Sequence, residues 1–154
     1  MDAVLYIGTK MLFATPMTRD EYNIYRGWSP PTDEDGNDAG FLVEYTDGGE
    51  ANHPDHKGYI SWLPADVFNA AYRPTHGMAF GAAVEALKIG QKVTRAGWNG
   101  KGMFLFLVPG SQFQVNRPPL LGIAHIDMKT AQNTVVPWLA SQTDVLADDW
   151  QIVA

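Results

Sequence analysis

The sequence predicts an α+β protein of two small domains, each a short antiparallel sheet packed by one or two helices. Three observations support this: apolar runs of strand length, two capping-box spacings that begin helices, and a mid-chain stretch of turn-forming residues. With 154 residues, 45% of them hydrophobic, the chain can build one ordinary core or two very small ones. We predict domains at 1–73 and 79–154, joined by a linker at 74–78.

The first domain is predicted as strand, helix, hairpin and helix, at 10–16, 18–27, 41–63 and 64–72. Thr18 and Glu21 have the spacing of a capping box, and Gly27 is a typical helix stop. Pro64 suits a helix start, where its missing N–H would have had no partner. Residues 29–40 are rich in proline, glycine and acids, so we expect a solvated loop there.

The second domain is predicted as a helix, two strands, a hairpin, a short helix and a closing strand, at 80–90, 92–95, 103–108, 125–137, 145–149 and 150–153. An apolar i, i+4, i+7 repeat supports the first helix, and Gly90 supplies its left-handed stop. A proline-rich crossing is expected at 116–119. Asn133 is expected to tolerate a positive φ in the hairpin, and Ser141 with Asp144 has a second capping-box spacing.

Composition excludes several classes of protein. The chain has no cysteine, which rules out disulfides, cysteine zinc sites and thiol catalysis and is compatible with a reducing compartment. No run approaches the roughly 18 apolar residues of a membrane span, and the first residues lack the pattern of a signal peptide. We therefore expect a soluble protein in the bacterial cytoplasm.

Charge is distributed unevenly along the chain. Residues 1–77 hold 5 basic and 12 acidic groups, whereas residues 78–154 hold 6 and 5. All six basic residues of the second half lie between Lys88 and Lys129, with Asp127 the one acid among them. Such a cationic segment can attract a small anion, while the net charge of −6 argues against a broad nucleic-acid surface.

Three common catalytic or cofactor motifs do not fit. Gly100-Lys101 resembles the end of a phosphate-binding P-loop, but that motif needs Gly at 95 and Ser or Thr at 102, where this chain has Arg and Gly. Ser111 lacks the G-x-S-x-G pattern of a nucleophile elbow. Metal ligands could come from His53, Asp55 and His56, or from His125 with Asp127, but neither set makes a convincing site, so no metal and no cofactor are predicted.

The loop Arg95-Ala-Gly-Trp-Asn-Gly-Lys-Gly102 is the sharpest candidate for binding. Stacking of a base on the Trp98 indole can contribute about 1–3 kcal/mol, and Arg95 and Lys101 could engage phosphates. The alternative is that Trp98 lies under the sheet as a core anchor. Trp28, Trp62 and Trp138 are predicted in a core or an interface, and Trp150 in the core.

Asp144 and Asp148 lie four residues apart and would share a face of the last helix. They could form a rim that accepts hydrogen bonds from ribose hydroxyls or an adenine amino group. In the other interpretation, Asp144 completes the helix cap and Asp148 is solvated.

The second half carries a resemblance to a known family. The series FGAAVEALKIGQKVTRAGWNGKGMFLFLVPG, NRPPLLGI, HIDMKTA and VVPWLASQTDVLADDWQIV resembles the Thoeris anti-defence family of phage sponge proteins over residues 78–154. Residues 6–73 resemble a second, uncharacterised small phage protein family, so the chain resembles a fusion of the two. Gln132-Asn133 stands where the sponge family commonly has Asp-Gly, and the crossing before His125 is shorter.

The resemblance implies a function and a set of contacts. It implies a small α+β homodimer or homotetramer that captures cyclic ADP-ribose isomers, and in some relatives cyclic oligonucleotides, without cleaving them. By position it places ligand contacts at Trp98, Asn99, Ser141, Gln142, Asp144 and Asp148, to which the charge pattern adds Arg95 and Lys101. Two alternatives stay open: a protein–protein interaction module with an acidic first half, and a hydrolase of the same nucleotides.

Overall fold

The computed structural model describes residues 3–113 and 120–153, without the side chains of Gln112 and Phe113. The chain divides into two compact units, Met1–Tyr72 and Arg73–Ala154. Each combines antiparallel strands with short helices, which confirms the α+β class. The proline-rich crossing predicted at 116–119 lies outside the described residues.

The first unit is a three-stranded antiparallel sheet in the order β1-β2-β3 with two helices. Its elements in chain order are β1 Leu12–Pro16, α1 Arg19–Arg26, β2 Gly40–Tyr45, β3 Ile60–Pro64 and α2 Ala65–Ala71.

The predicted cap of α1 is confirmed. Thr18 accepts the backbone N–H of Glu21, Glu21 accepts that of Thr18, and Gly27 ends the helix at φ 69°. Tyr22 forms part of a small core against the sheet. Trp28, predicted in a core or interface, is 52% exposed.

The second unit is a five-stranded antiparallel sheet in the order β10-β4-β5-β8-β9, with a separate two-stranded ribbon of β6 and β7. Its elements are α3 Phe80–Lys88, β4 Lys92–Arg95, β5 Phe104–Val108, β6 Ser111–Phe113, β7 Leu120–Gly122, β8 His125–Lys129, β9 Val135–Pro137, α4 Gln142–Val145 and β10 Trp150–Val153.

One face of this sheet holds the core. Helix α3 packs across β4, β5 and β10, where Val93, Leu105 and Trp150 are fully buried. Trp150 is thus a core residue, as predicted. Because side chains alternate along a strand, Phe104 and Phe106 project from the opposite face, which we call the outer face. Neither described helix of this unit packs on the outer strands β8 and β9 there.

Local details of the second unit confirm some predictions and correct others. Asn133 adopts φ 62° in the β8–β9 hairpin, as expected. The last helix begins at Gln142, three residues before its predicted start, because Ser141 is its N-cap. The β6–β7 ribbon was not predicted. Within the predicted linker, Met78 exchanges backbone hydrogen bonds with Trp150 at 2.8 and 3.1 Å.

None of the helices formed by the described residues combines the length and apolarity needed to span a bilayer.

Candidate functional site

The glycine-rich loop between β4 and β5 is fastened to the end of the chain. The N–H of Gly97 donates to Asp149 Oδ2 at 2.7 Å, and the N–H of Ala96 donates to the Asp149 carbonyl at 3.1 Å. A Cβ at position 97 would lie only 2.9 Å from that carboxylate oxygen, so the glycine permits this close approach. This end of the loop is a fixed turn.

Arg95 is held by two carboxylates. Its Nη1 donates to Asp144 Oδ1 and its Nε donates to Asp149 Oδ1, each at 2.8 Å, and its side chain is mostly buried. These hydrogen bonds raise the pKa of Arg95, and the bond from Arg95 lowers the pKa of Asp149. The expectation that Arg95 serves a ligand phosphate is therefore corrected: its charge is already compensated within the chain.

Asp144 is the acceptor at the centre of this cluster. Burial alone would raise its pKa, but hydrogen bonds from Ser141, Arg95 and Trp98 outweigh burial and lower the pKa to about 2. Ser141 Oγ lies 2.6 Å from Asp144 Oδ2 and accepts the N–H of Asp144, which completes the predicted capping box. The carboxylate is thus a permanent anion used inside the fold, which corrects its expected place on a ligand rim.

Trp98 lies against the core of the second unit. Its ring meets Trp150 edge-on at 5.5 Å and Trp138 at 6.5 Å, and its Nε1 donates to Asp144 Oδ1 at 3.3 Å. The indole is partly buried, so only part of it is left for contact. The structure thus agrees better with the core-anchor alternative than with an open stacking platform.

The other predicted contact residues stand at the surface. Asn99, Lys101, Gln142 and Asp148 are exposed, and Asp148 is solvated as one interpretation of the sequence expected. Together with the exposed part of Trp98 we call these residues the loop rim. Their role in binding remains a prediction.

A groove on the outer face offers a different combination of groups. It is open, has a volume of about 350 Å³, and lies within the size range of small-molecule sites. Aromatic rings and lysine side chains dominate its lining, which consists of Gly90, Gln91, Lys92, Phe104, Phe106, Leu107, Lys129 and Val135.

The strands place the rings and the cations of the groove together. Phe104 stands opposite Lys129 on the neighbouring strand, and its ring meets Phe106 edge-on at 6.1 Å. Lys92 Nζ lies 5.1 Å from the centre of the Phe104 ring, within cation–π distance. Lys129 Nζ donates to the Gly102 carbonyl at 3.0 Å.

The lysines of the groove are electrostatically available. Within residues 3–113 and 120–153, the ion pairs of the second unit join Lys88 to Glu85, Arg95 to Asp144 and Asp149, and His125 to Asp127, and none involves Lys92 or Lys129. The groove therefore combines flat apolar surface with uncompensated positive charge, which suits a planar anion.

Sequence reasoning missed the groove for an identifiable reason. Residues 103–108 are an uninterrupted apolar run, so the sequence gave no sign of which rings face outwards. The charge pattern did flag Lys92 and Lys129 within the cationic segment. The strand register then pairs Phe104 with Lys129, a relation that spans 25 residues of sequence.

The histidine clusters do not form metal sites in the described part of the chain, where no three His, Cys, Asp or Glu side chains are grouped to hold an ion. His56 instead bonds to Tyr25 and Glu44, at 2.9 and 2.8 Å. His125 Nε2 lies 3.5 Å from Asp127 Oδ1, which leaves a pair rather than a ligand set.

Comparison with known proteins agrees with the fold of the second unit. The Thoeris anti-defense 2-like domain matches residues 78–153. Thoeris anti-defense 2 of Bacillus phage SP01 is 46% identical over 87 residues, covering 50% of this chain and 96% of that relative. A match of this identity over nearly the whole relative shows the family: the chain belongs to the Thoeris anti-defense 2-like family.

Proposed function

We propose that the second unit binds a cyclic nucleotide immune signal, of the cyclic ADP-ribose or cyclic oligonucleotide type, and holds it without cleaving it in the host bacterial cytoplasm. Membership of an anti-defence family supports a role against host immunity. The observation that carries the ligand class is the groove, where Lys92 and Lys129 flank Phe104 without a carboxylate partner.

The groups of the groove match the parts of such a ligand. A base can stack on Phe104 or Phe106, and stacking on an aromatic side chain contributes about 1–3 kcal/mol per base. The two ammonium groups can neutralise phosphates at either side of the stacked ring. To compete with a receptor for a micromolar signal, the dissociation constant must reach nanomolar order, about −12 kcal/mol.

The loop rim is a second position for the same ligand. Asn99 and Gln142 offer exposed amide groups beside the accessible part of Trp98, and Lys101 supplies a cation. The groove has the stronger claim because its lysines border aromatic surface, whereas Arg95 of the loop is already ion-paired.

Self-association into a homodimer or homotetramer is part of the proposal. The second unit leaves several large apolar side chains uncovered, with Ile123 at 82%, Leu139 at 91% and Leu146 at 80% exposure. Exposed apolar groups in such number favour burial between subunits. Sedimentation of the full chain measures this directly.

A depletion experiment tests the proposed function. Purified protein is mixed with a cyclic ADP-ribose isomer or a cyclic dinucleotide, the protein is removed by filtration, and the remaining signal is measured. We expect depletion to saturate at a fixed ratio and heat denaturation to return the signal intact. Recovery of a hydrolysed product would indicate the rival hydrolase, and no depletion of either ligand class would favour the interaction module.

A further inference from the structure

A surface outside the proposed function lies on the first unit, along β1 and the residues that precede it. Val4, Leu5, Tyr6 and Ile7 are 68%, 98%, 84% and 101% exposed. Phe13 in β1 is 69% exposed. A continuous strip of β-prone apolar side chains is thus left without cover, which is rare for a surface that stays in water.

Strand β1 is an open edge of its sheet. Among the described strands it pairs with β2 alone, and four of its five residues are exposed, so both its faces and its outer edge meet solvent. The opposite edge strand, β3, has no exposed residue. The unpaired backbone N–H and C=O groups of β1 can therefore accept another strand.

The edge carries none of the charges that usually prevent strand addition. Residues 3–9 and 11–17 contain no charged side chain, and Lys10 between them forms an ion pair with Asp47 of the same unit at 3.2 Å. Natural edge strands are commonly guarded by charged side chains, above all lysine. This one has its single lysine turned to an internal partner.

The segment before β1 is held in line with the sheet. Thr46 Oγ1 donates to the Met11 carbonyl at 2.8 Å, and Lys10 Nζ lies 5.1 Å from the centre of the Tyr45 ring. The chain therefore approaches β1 alongside β2, with its outer edge still open.

We propose that β1 pairs antiparallel with β1 of a second copy of this chain, which joins two three-stranded sheets into one of six strands. A second copy is the partner that the charges favour, because an uncharged strand placed against itself brings no like charges face to face. Pro16 has no N–H to donate, so it limits the pairing at one end. The two-fold axis then passes near Ala14, at the middle of the strand.

The absence of cysteine allows a clean cross-linking test on the full chain. In Ala14→Cys the two thiols would face each other across the axis, at the Cα separation that a disulfide requires. The control is Ile24→Cys, also well exposed at 71% but on α1. After mild oxidation, non-reducing electrophoresis should show the Ala14→Cys dimer forming at least about tenfold faster, since pairing raises the local thiol concentration.

A second substitution separates edge pairing from any assembly formed by the second unit. Phe13→Asp added to Ala14→Cys would place two carboxylates at the shared edge and should reduce cross-linking to the rate of the control. Equal rates for Ala14→Cys and Ile24→Cys, with Phe13→Cys and Thr15→Cys no faster, would overturn the proposal. So would an undiminished rate in the Phe13→Asp variant.

Discussion

Arg95 Nη1 lies 2.8 Å from Asp144 Oδ1, and this ion pair fastens the end of β4 to the first turn of α4. The same carboxylate accepts from Ser141 and Trp98, so one anion organises the loop, the helix cap and an indole. Residues that the sequence suggested as ligand contacts thus stabilise the second unit, and the outer-face groove keeps the accessible charge.

The first prediction concerns the stability that Asp144 provides. Asp144→Asn leaves Arg95 with one carboxylate and weakens the cap, so we expect the free energy of unfolding to fall by about 2 kcal/mol. Asp148→Asn, four residues on and exposed, should change it by less than about 0.5 kcal/mol. Denaturant unfolding of both variants checks this, and equal effects would contradict a structural role for the ion pair.

The second prediction concerns acid. The pKa of Asp144 is lowered from 3.8 to about 2, so its stabilising contribution is present above the unfolded value and is lost as pH falls through 3.8 towards 2. The pKa of Asp149 is lowered too and acts in the same direction. The difference in unfolding free energy between the wild type and Asp144→Asn should be constant from pH 5 to 7 and should shrink towards pH 2. A difference that grows in acid would refute this assignment.

The third prediction uses one substitution at two glycines. Gly102 has φ 67°, so Gly102→Ala forces a strained backbone and should destabilise the protein by about 1 kcal/mol. Gly81 lies near the start of α3 with open space around it, and Gly81→Ala should stabilise by about 0.5 kcal/mol. Thermal unfolding compares the two; shifts of the same sign would show that the loop geometry at 102 is relaxed.

The fourth prediction concerns salt. If Lys92 and Lys129 neutralise ligand phosphates at an open groove, the dissociation constant should rise several-fold between about 50 and 300 mM NaCl. Lys92→Gln should weaken binding and flatten this dependence. An affinity indifferent to salt would indicate that neither lysine meets a phosphate.

Much of the fold could be predicted because local signals and tertiary structure agree. The Thr18–Glu21 and Ser141–Asp144 capping boxes, the left-handed Gly27 and Gly90, and the positive φ of Asn133 all depend on neighbours within a few residues. The α4 boundary was wrong by three residues because the capping box places the helix directly after Ser141.

The candidate site was less predictable because it depends on contacts distant in sequence. Arg95 could be recognised as a cation in a glycine-rich loop, but the two carboxylates that engage it lie about 50 residues later. Whether a ring in an uninterrupted apolar run faces the core or the solvent depends on register, which the run itself does not encode.

The most direct test of the central claim is calorimetric titration of a cyclic ADP-ribose isomer and a cyclic dinucleotide into three proteins. These are the wild type, the double variant Lys92→Glu with Lys129→Glu, and the control Lys88→Glu, whose lysine is paired with Glu85 on α3. We expect nanomolar binding of one ligand by the wild type and the control, and a loss of about 100-fold or more in the double variant. Unchanged affinity in the double variant would move the site to the loop rim, and no binding by the wild type would contradict sequestration of these signals.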